Sequence, residues 1–440
     1  MNTKSSSRLT VAMIMGAMVM PVFAQEQSQG TMTVERLFEL VEENSISLQV
    51  AKSGVEAAGH GVAAAKSERL PDIDASLSFS YIGNVLRTDR DFGDAKGFSS
   101  PHFGNSFTLE VEQMIYSGGA LMAGVKMAKI EKSQAETGVT ATRNAQRFLA
   151  MAQYLELMEA DNAIRVYESN IALTDQLIED IKVKRSQGMA LKNEITRYEL
   201  QMETLRLGLR RMHDRRSVLN HQLCNTLGID TDEWIMPDTT LMELSREENE
   251  WEWQNRALIS SPDLLNAELS SKVAEQQLEL VKSERRPKLV VFATDNFNGP
   301  YTYDIPPIDY NFNIWYVGVG IRYSLSSLFK SNKRVRKANV ELRKSQEVYS
   351  RTAEEIDNRM NEAYTLYLQA FEDLRTRRKS AQLARENYEV VNNRYLNDLA
   401  LITDMTDASN IRLSAELDET NARIQIVYAY YRMKYIAGEI

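Results

Sequence analysis

Asp404 and Asp407 stand three residues apart near the end of this 440-residue chain, in the phrase Leu399-Ala-Leu-Ile-Thr-Asp404-Met-Thr-Asp407-Ala408. On a helix that spacing puts both carboxylates on one face. Repeated around a symmetry axis, such a pair makes an acidic ring that attracts cations. Alternatively, Asp404 caps the free amides that start the last helix. The residues alone leave both uses open. Glu110 and Glu112 are a second close pair, alternating along a strand-like run without an acid/base partner. They read as solvated wall charges rather than a catalytic pair. His60, His102, His213 and His221 have no His or Cys partner at metal-ligand spacing. Cys224 lies on a helix among Leu219, Leu223 and Leu227 and reads as core. No phosphate loop, nucleophile motif or dinucleotide fingerprint occurs. The chain reads as a non-enzyme, with no cofactor and no metal.

Positioning such residues falls to an unusual set of elements. The phrase Lys66-Ser-Glu-Arg-Leu-Pro71 recurs as Lys282-Ser-Glu-Arg-Arg-Pro287, each closing a helical stretch and opening a strand-like run. Proline cannot extend the helix it follows and biases the preceding residue toward extended geometry. Further anchors keep the same order. Asn44–Leu48 stands opposite Ser260–Leu264, Lys132-Ser-Gln134 opposite Lys344-Ser-Gln346, and Leu227-Gly228 opposite Ala437-Gly438. The chain therefore reads as a duplicated half, 25–229 and 251–440, joined by a linker at 230–250.

Residues 1–24 read as a signal peptide. Lys4 and Arg8 precede an apolar stretch, and Val22-Phe23-Ala24 fits a small-x-small cleavage pattern. The formal net charge is -9, and losing Lys4 and Arg8 makes it more negative, which argues against a nucleic-acid partner. One cysteine permits no internal disulfide, so stability must come from packing and assembly. After the N-terminus no run of about twenty apolar residues occurs, which excludes a helical span in the mature chain.

Each half carries two strands of about ten residues with one apolar face, at about 72–82 and 106–116, then 288–297 and 313–324. Ile73, Ala75, Leu77, Phe79 and Tyr81 alternate with polar residues, and aromatics gather at strand ends. That length and girdle suit a membrane barrel. Four strands cannot close one, because an open edge in lipid leaves backbone groups unsatisfied. Three chains would supply twelve. One helix is expected from Thr33 to Glu68 and another from Trp251 to Arg286, with a plain loop from Gly83 to Asn105. Very long helices follow the second and fourth strands, without proline. From Val335 to Leu374 small and apolar residues step by three and four, the seam of a coiled coil. A periplasmic coiled-coil spacer without a pore is the competing reading.

This order of elements resembles the TolC-like outer-membrane efflux protein family over essentially the whole mature chain. Its most specific piece is the turn with Asp404-Met-Thr-Asp407-Ala408, which is similar to the family's tip motif. The resemblance implies a mostly α fold with a minor β part. Long antiparallel coiled-coil helices would form a trimeric α-barrel, and four strands per chain would contribute to a shared twelve-stranded transmembrane β-barrel. It implies a homotrimer in outer-membrane lipid with a long periplasmic extension. The trimer would be an exit duct of a tripartite efflux or type I secretion system, fed by an inner-membrane pump and a periplasmic adaptor. The tip would close like an iris. Asp404 and Asp407 would then act as gate and selectivity residues, and Tyr395 would hold the closed state through Glu194. The family's arginine between that tyrosine and the first Asp is Ala400 here. Gly188, Leu191, Leu399 and Leu401 would belong to the tip, as adaptor contact or constriction.

Overall fold

The computed structural model describes residues 31–242, 249–397 and 399–440. The expected signal peptide lies outside the described residues.

The chain opens with α1 (Val34–Asn44) and α2 (Ile46–Ser67). Thr33 caps α1, its hydroxyl accepting from the Arg36 amide at 3.3 Å. The single helix expected from Thr33 to Glu68 is broken at Ser45. That residue is extended, and its hydroxyl accepts from the Leu48 amide at 3.4 Å. A serine that satisfies a free helix-start amide makes the break cheap. Next come β1 (Asp72–Tyr81), β2 (Val85–Arg87), β3 (Lys96–Phe98) and β4 (Phe103–Tyr116). The stretch expected as a plain loop holds the β2–β3 hairpin, too short to show a period. Then α3 (Ala120–Ser186) runs 67 residues, about 100 Å, and returns as α4 (Lys192–Leu227).

The second half repeats the order with α5 (Glu250–Ser260), α6 (Pro262–Ser283), β5 (Lys288–Gly299), β6 (Phe312–Arg322), α7 (Ser327–Leu396) and α8 (Ile402–Ala437). Here too the expected single helix is two, parted at extended Ser261 with Pro262 at the first helical turn. A proline there loses no intrahelical bond. Among the described residues no helix is long and apolar enough to cross a membrane.

β1, β4, β5 and β6 form one antiparallel sheet in that order. The register sorts its two faces. One face carries rows such as Ile73, Val111, Ala293 and Val317, and Leu77, Phe107 and Phe297. Its large side chains on β1 and β6 stand open to the surroundings, with Trp315 72% and Ile321 75% exposed. Asn105, Gln113, Asp295 and Asn313 are its polar exceptions, and nothing in the structure explains the charge of Asp295. The other face carries Asp74, Glu110 and Thr294 in one row, which ends at Tyr316, and Ser76, Thr108 and Asn296 in the next, which ends at Ile314. Arg322 pairs with Glu112 on it at 2.7 Å. Phe292 lies over Gly318, where a Cβ would come within 2.6 Å of the ring. Packing, not flexibility, requires glycine there. In this chain the outer edges of β1 and β6 have no strand partner among the described residues.

Both Lys-Ser-Glu-Arg phrases sit at helix-to-strand junctions, after α2 and α6. Arg286 of the second donates to the Gly118 carbonyl at 2.9 Å, tying the halves together. Gly118 has φ +71, and a Cβ there would lie 2.7 Å from the Ser283 carbonyl oxygen.

Three apolar clusters hold the helices. One joins α1, α3, α4 and α8 through Leu37, Met151, Tyr154, Leu223 and Val427. A second joins α5, α6, α7 and α8 through Trp253, Leu264, Met360, Tyr367 and Met433. The third lies at the far end, where both helical hairpins turn. The linker is pinned to the first cluster. The Tyr154 hydroxyl donates to the Met32 carbonyl and accepts from the Asp238 amide, both at 2.6 Å. Burial pushes that hydroxyl up to about 12. Arg216, 2% exposed, pairs with Asp161 at 2.8 Å and stacks on Trp234.

Candidate functional site at the helical tip

Two turns meet at the end of the helices, α3 to α4 and α7 to α8. Gly188 ends α3 in the left-handed region with φ +75, which glycine adopts without a Cβ penalty. Leu191 and Leu401 are the N-cap residues of α4 and α8. Neither leucine can cap with its own side chain. Instead Glu194 and Asp404, at the third helical positions, reach back. Glu194 accepts from the Leu191 amide at 3.5 Å and Asp404 from the Leu401 amide at 3.0 Å. This is the return half of a capping box. The capping use of Asp404 is thus made within the chain.

The two turns then differ. The other carboxylate oxygen of Glu194 accepts from the Tyr395 hydroxyl at 2.8 Å. Tyr395 is 5% exposed and Glu194 half-buried, so this charge-assisted bond joins the halves in a partly dry place. Asp404 and Asp407 are both exposed. Asp407 has no hydrogen bond or ion pair among the described residues.

Beneath Tyr395 lies an apolar floor of Ile178, Ile181, Ile195, Met202 and Met405. Ala400 packs partly buried against it. Leu191, Leu399 and Leu401 point away from it, each about two-thirds exposed. The structure therefore brings Tyr395 and Glu194 together and leaves the three leucines, Gly188, Asp404 and Asp407 on the outer surface of the tip.

Two further residues complete this site. Lys184, in the last turn of α3, donates to the Leu396 carbonyl at 2.6 Å and the Tyr395 carbonyl at 3.3 Å. Its ammonium also stands 5.6 Å from the Tyr395 ring. A cation from one half thus caps the C-terminal end of α7 in the other. Tyr198 packs edge-on to Tyr395, ring centroids 6.4 Å apart, with its hydroxyl buried and without a hydrogen-bond partner among the described residues. Burial raises its pKa. A sequence signal existed for both. Lys184 is a cation in a helix's last turn, and Tyr198 follows Glu194 by one helical turn.

The arrangement is that of a channel protomer: a sheet with one apolar, open face, carried on paired helices that converge on a polar tip. Comparison with known proteins agrees. The model of the outer membrane efflux protein family matches residues 37–176 and 253–439. A search of curated protein sequences found no match. Among solved structures, the outer membrane protein VceC from Vibrio cholerae is similar, with TM-score 0.75 and 15% identity over 92% of this chain and 96% of that one. The open-state MtrE outer membrane channel of Neisseria gonorrhoeae matches with TM-score 0.74 and 13% identity, over 92% and 88%. The Campylobacter jejuni CmeC outer membrane channel matches with TM-score 0.71 and 14% identity, over 92% and 85%. These likenesses show the fold. The chain belongs to the outer membrane efflux protein family. It is an outer-membrane protein with a periplasmic extension, and its role is that of an efflux channel.

Proposed function

We propose that three copies share one barrel and serve as the passive exit duct of a tripartite efflux or type I secretion assembly. The observation that carries this is the sheet, with one apolar face exposed and neither outer edge paired among the described residues. In lipid such edges leave amides and carbonyls unsatisfied, so β6 of one copy must meet β1 of the next. Twelve strands then close a ring with the Asp74–Glu110 face inward. The two repeats, 25–229 and 251–440, each supply one helical hairpin to the wall below.

The tip is the gate. Tyr395 and Glu194 hold the hairpins of one copy together, and Lys184 supplies a cross-repeat cation although position 400 is an alanine. Asp404 and Asp407, three-fold repeated, place six carboxylates around one axis and favour cations at the closed tip. Leu191, Leu399 and Leu401 are exposed apolar residues on a polar end, suited to contact with a periplasmic adaptor. An inner-membrane pump delivers the cargo.

Planar-bilayer recording of the purified full chain tests this. Discrete steps of small conductance from a closed-tip channel support a gated duct. Protein that inserts into no bilayer and gives no conductance would favour the coiled-coil spacer.

A further inference from the structure

The two turns at the tip match residue for residue. The Met189 amide donates to the Lys184 carbonyl at 3.0 Å, and the Leu399 amide to the Arg394 carbonyl at 2.8 Å. Glu194 and Asp404 both take the third position of their helices. At the same offset Arg394 is the counterpart of Lys184, and Arg185 is the counterpart of Tyr395.

Within one chain the counterparts are not used alike. Glu194 engages both carboxylate oxygens, Oε1 with the Leu191 amide and Oε2 with the Tyr395 hydroxyl. Asp404 engages only Oδ2, with the Leu401 amide, and its Oδ1 has no hydrogen bond among the described residues. The Arg185 guanidinium is exposed, with neither a hydrogen bond nor an ion pair among the described residues. Three or four residues from Arg185 stand Ile181, Lys182, Gly188 and Met189, none of them an acid. Around Asp404 those places hold Ala400, Leu401, Asp407 and Ala408, none of them a base. Exposed charges nearby do find such neighbours, as Lys182 finds Glu179 and Arg206 finds Glu203. One cation and one anion at the tip are thus left over, each at a position whose counterpart makes the bond between the halves.

In the trimeric duct proposed above, on which this inference rests, two hairpins per copy surround one axis. Their boundaries alternate, one within a copy and the next between copies. The boundary within a copy sets Tyr395, at the end of α7, against Glu194, at the start of α4. At the boundary between copies, α3 of the neighbour takes the place of α7, and α8 takes the place of α4. We propose that Arg185 of one copy binds the free Oδ1 of Asp404 in the next, a latch that only the assembled trimer can make. Arg394, on the copy that supplies Asp404, then caps the carbonyls that end α3 in the copy that supplies Arg185, as Lys184 caps α7 within a chain. A guanidinium on a carboxylate is a stronger pair than a hydroxyl on one. Asp407 stays outside the latch and keeps its place in the acidic ring. Each copy is held on both sides, so the three tips open together rather than singly.

Cysteine cross-linking of the full-length protein in mild detergent tests this, and the native Cys224 is buried away from the reagent. Arg185→Cys and Asp404→Cys are combined in one chain, treated with bis-maleimidoethane and run on a denaturing gel. We expect covalent dimers and trimers. The control pair, Tyr395→Cys with Glu194→Cys, should cross-link inside one chain and add no mass. A trimeric particle whose Arg185 and Asp404 pair gains no mass overturns the latch and leaves the duct standing. A monomeric particle overturns both. Open probability in planar bilayers reads the latch without cysteines. Arg185→Gln and Asp404→Asn should each raise the open-to-closed ratio by about tenfold, from about twofold per exposed pair in three copies opening together. The two changes combined should raise it no further, because either one alone already breaks the pair. Additive effects, or no effect of either change, overturn the latch.

Discussion

Replacing Tyr395 by phenylalanine should open the tip. The change removes one hydroxyl and keeps the ring, so the apolar floor of Ile181, Ile195 and Met405 stays covered. What is lost is the 2.8 Å bond to the Glu194 carboxylate. Glu194 keeps its own bond to the Leu191 amide, so the start of α4 survives. A hydrogen bond to a charged partner is worth about 1.5–3 kcal/mol, and half-burial of the carboxylate points to the lower end. One protomer relaxing alone would then shift by about tenfold. Three protomers opening together lose about 4–5 kcal/mol, on the order of a thousandfold in the closed-to-open ratio. The assay is open probability in planar bilayers, wild type against Tyr395→Phe, with thermal unfolding as the control. The reasoning is refuted if open probability is unchanged while the protein folds normally. Lys184, with its two carbonyl contacts, would then be holding the tip by itself.

Other substitutions separate the remaining roles. Asp404→Asn should keep the reach-back bond, since the amide oxygen still accepts, and change stability by less than about 0.5 kcal/mol. Combined with Asp407→Asn, it should make the closed channel less cation-selective, read as a reversal potential in a salt gradient. Arg216→Met should lower stability by about 2–4 kcal/mol, because Asp161 and the Ile235 carbonyl lose their donor, and thermal unfolding in detergent reads this. Glu42 is held below the usual carboxylate range, chiefly by its hydrogen bond from Arg143. A pKa lowered on folding contributes stability that is present above about 4.5, the ordinary value, and is lost as pH falls through the folded value. Glu42→Gln should therefore be less stable than wild type at neutral pH, with the gap closing in acid.

Most of the architecture was legible because its signals are periodic. Ten-residue alternation exposes an apolar strand face, and proline-free runs announce helices as long as α3 and α7. The two Lys-Ser-Glu-Arg phrases located both helix-to-strand junctions. Breaks at Ser45 and Ser261 escaped because each costs little, the first through a serine cap and the second through a proline in the first helical turn. The β2–β3 hairpin, three residues a side, is too short to show a period. At the tip, the partnership of Tyr395 and Glu194 came from family likeness, since no local spacing relates residues so far apart. Lys184 and Tyr198 each carried a local signal, but the contacts both make with Tyr395 in the other half lie beyond any sequence spacing. The reach-back of Asp404 was one of two readings that its position allowed, and the fold makes that bond without deciding the pore role.

The central claim is that one chain cannot close its own barrel. The direct test is the native mass of the full-length protein extracted from outer membranes in mild detergent, corrected for bound detergent. Three copies per particle, about 150 kDa from the 50.1 kDa chain before removal of any signal peptide, is the predicted result. A monomer in that fraction, or recovery only from the soluble periplasm, would contradict the shared barrel and the duct built on it.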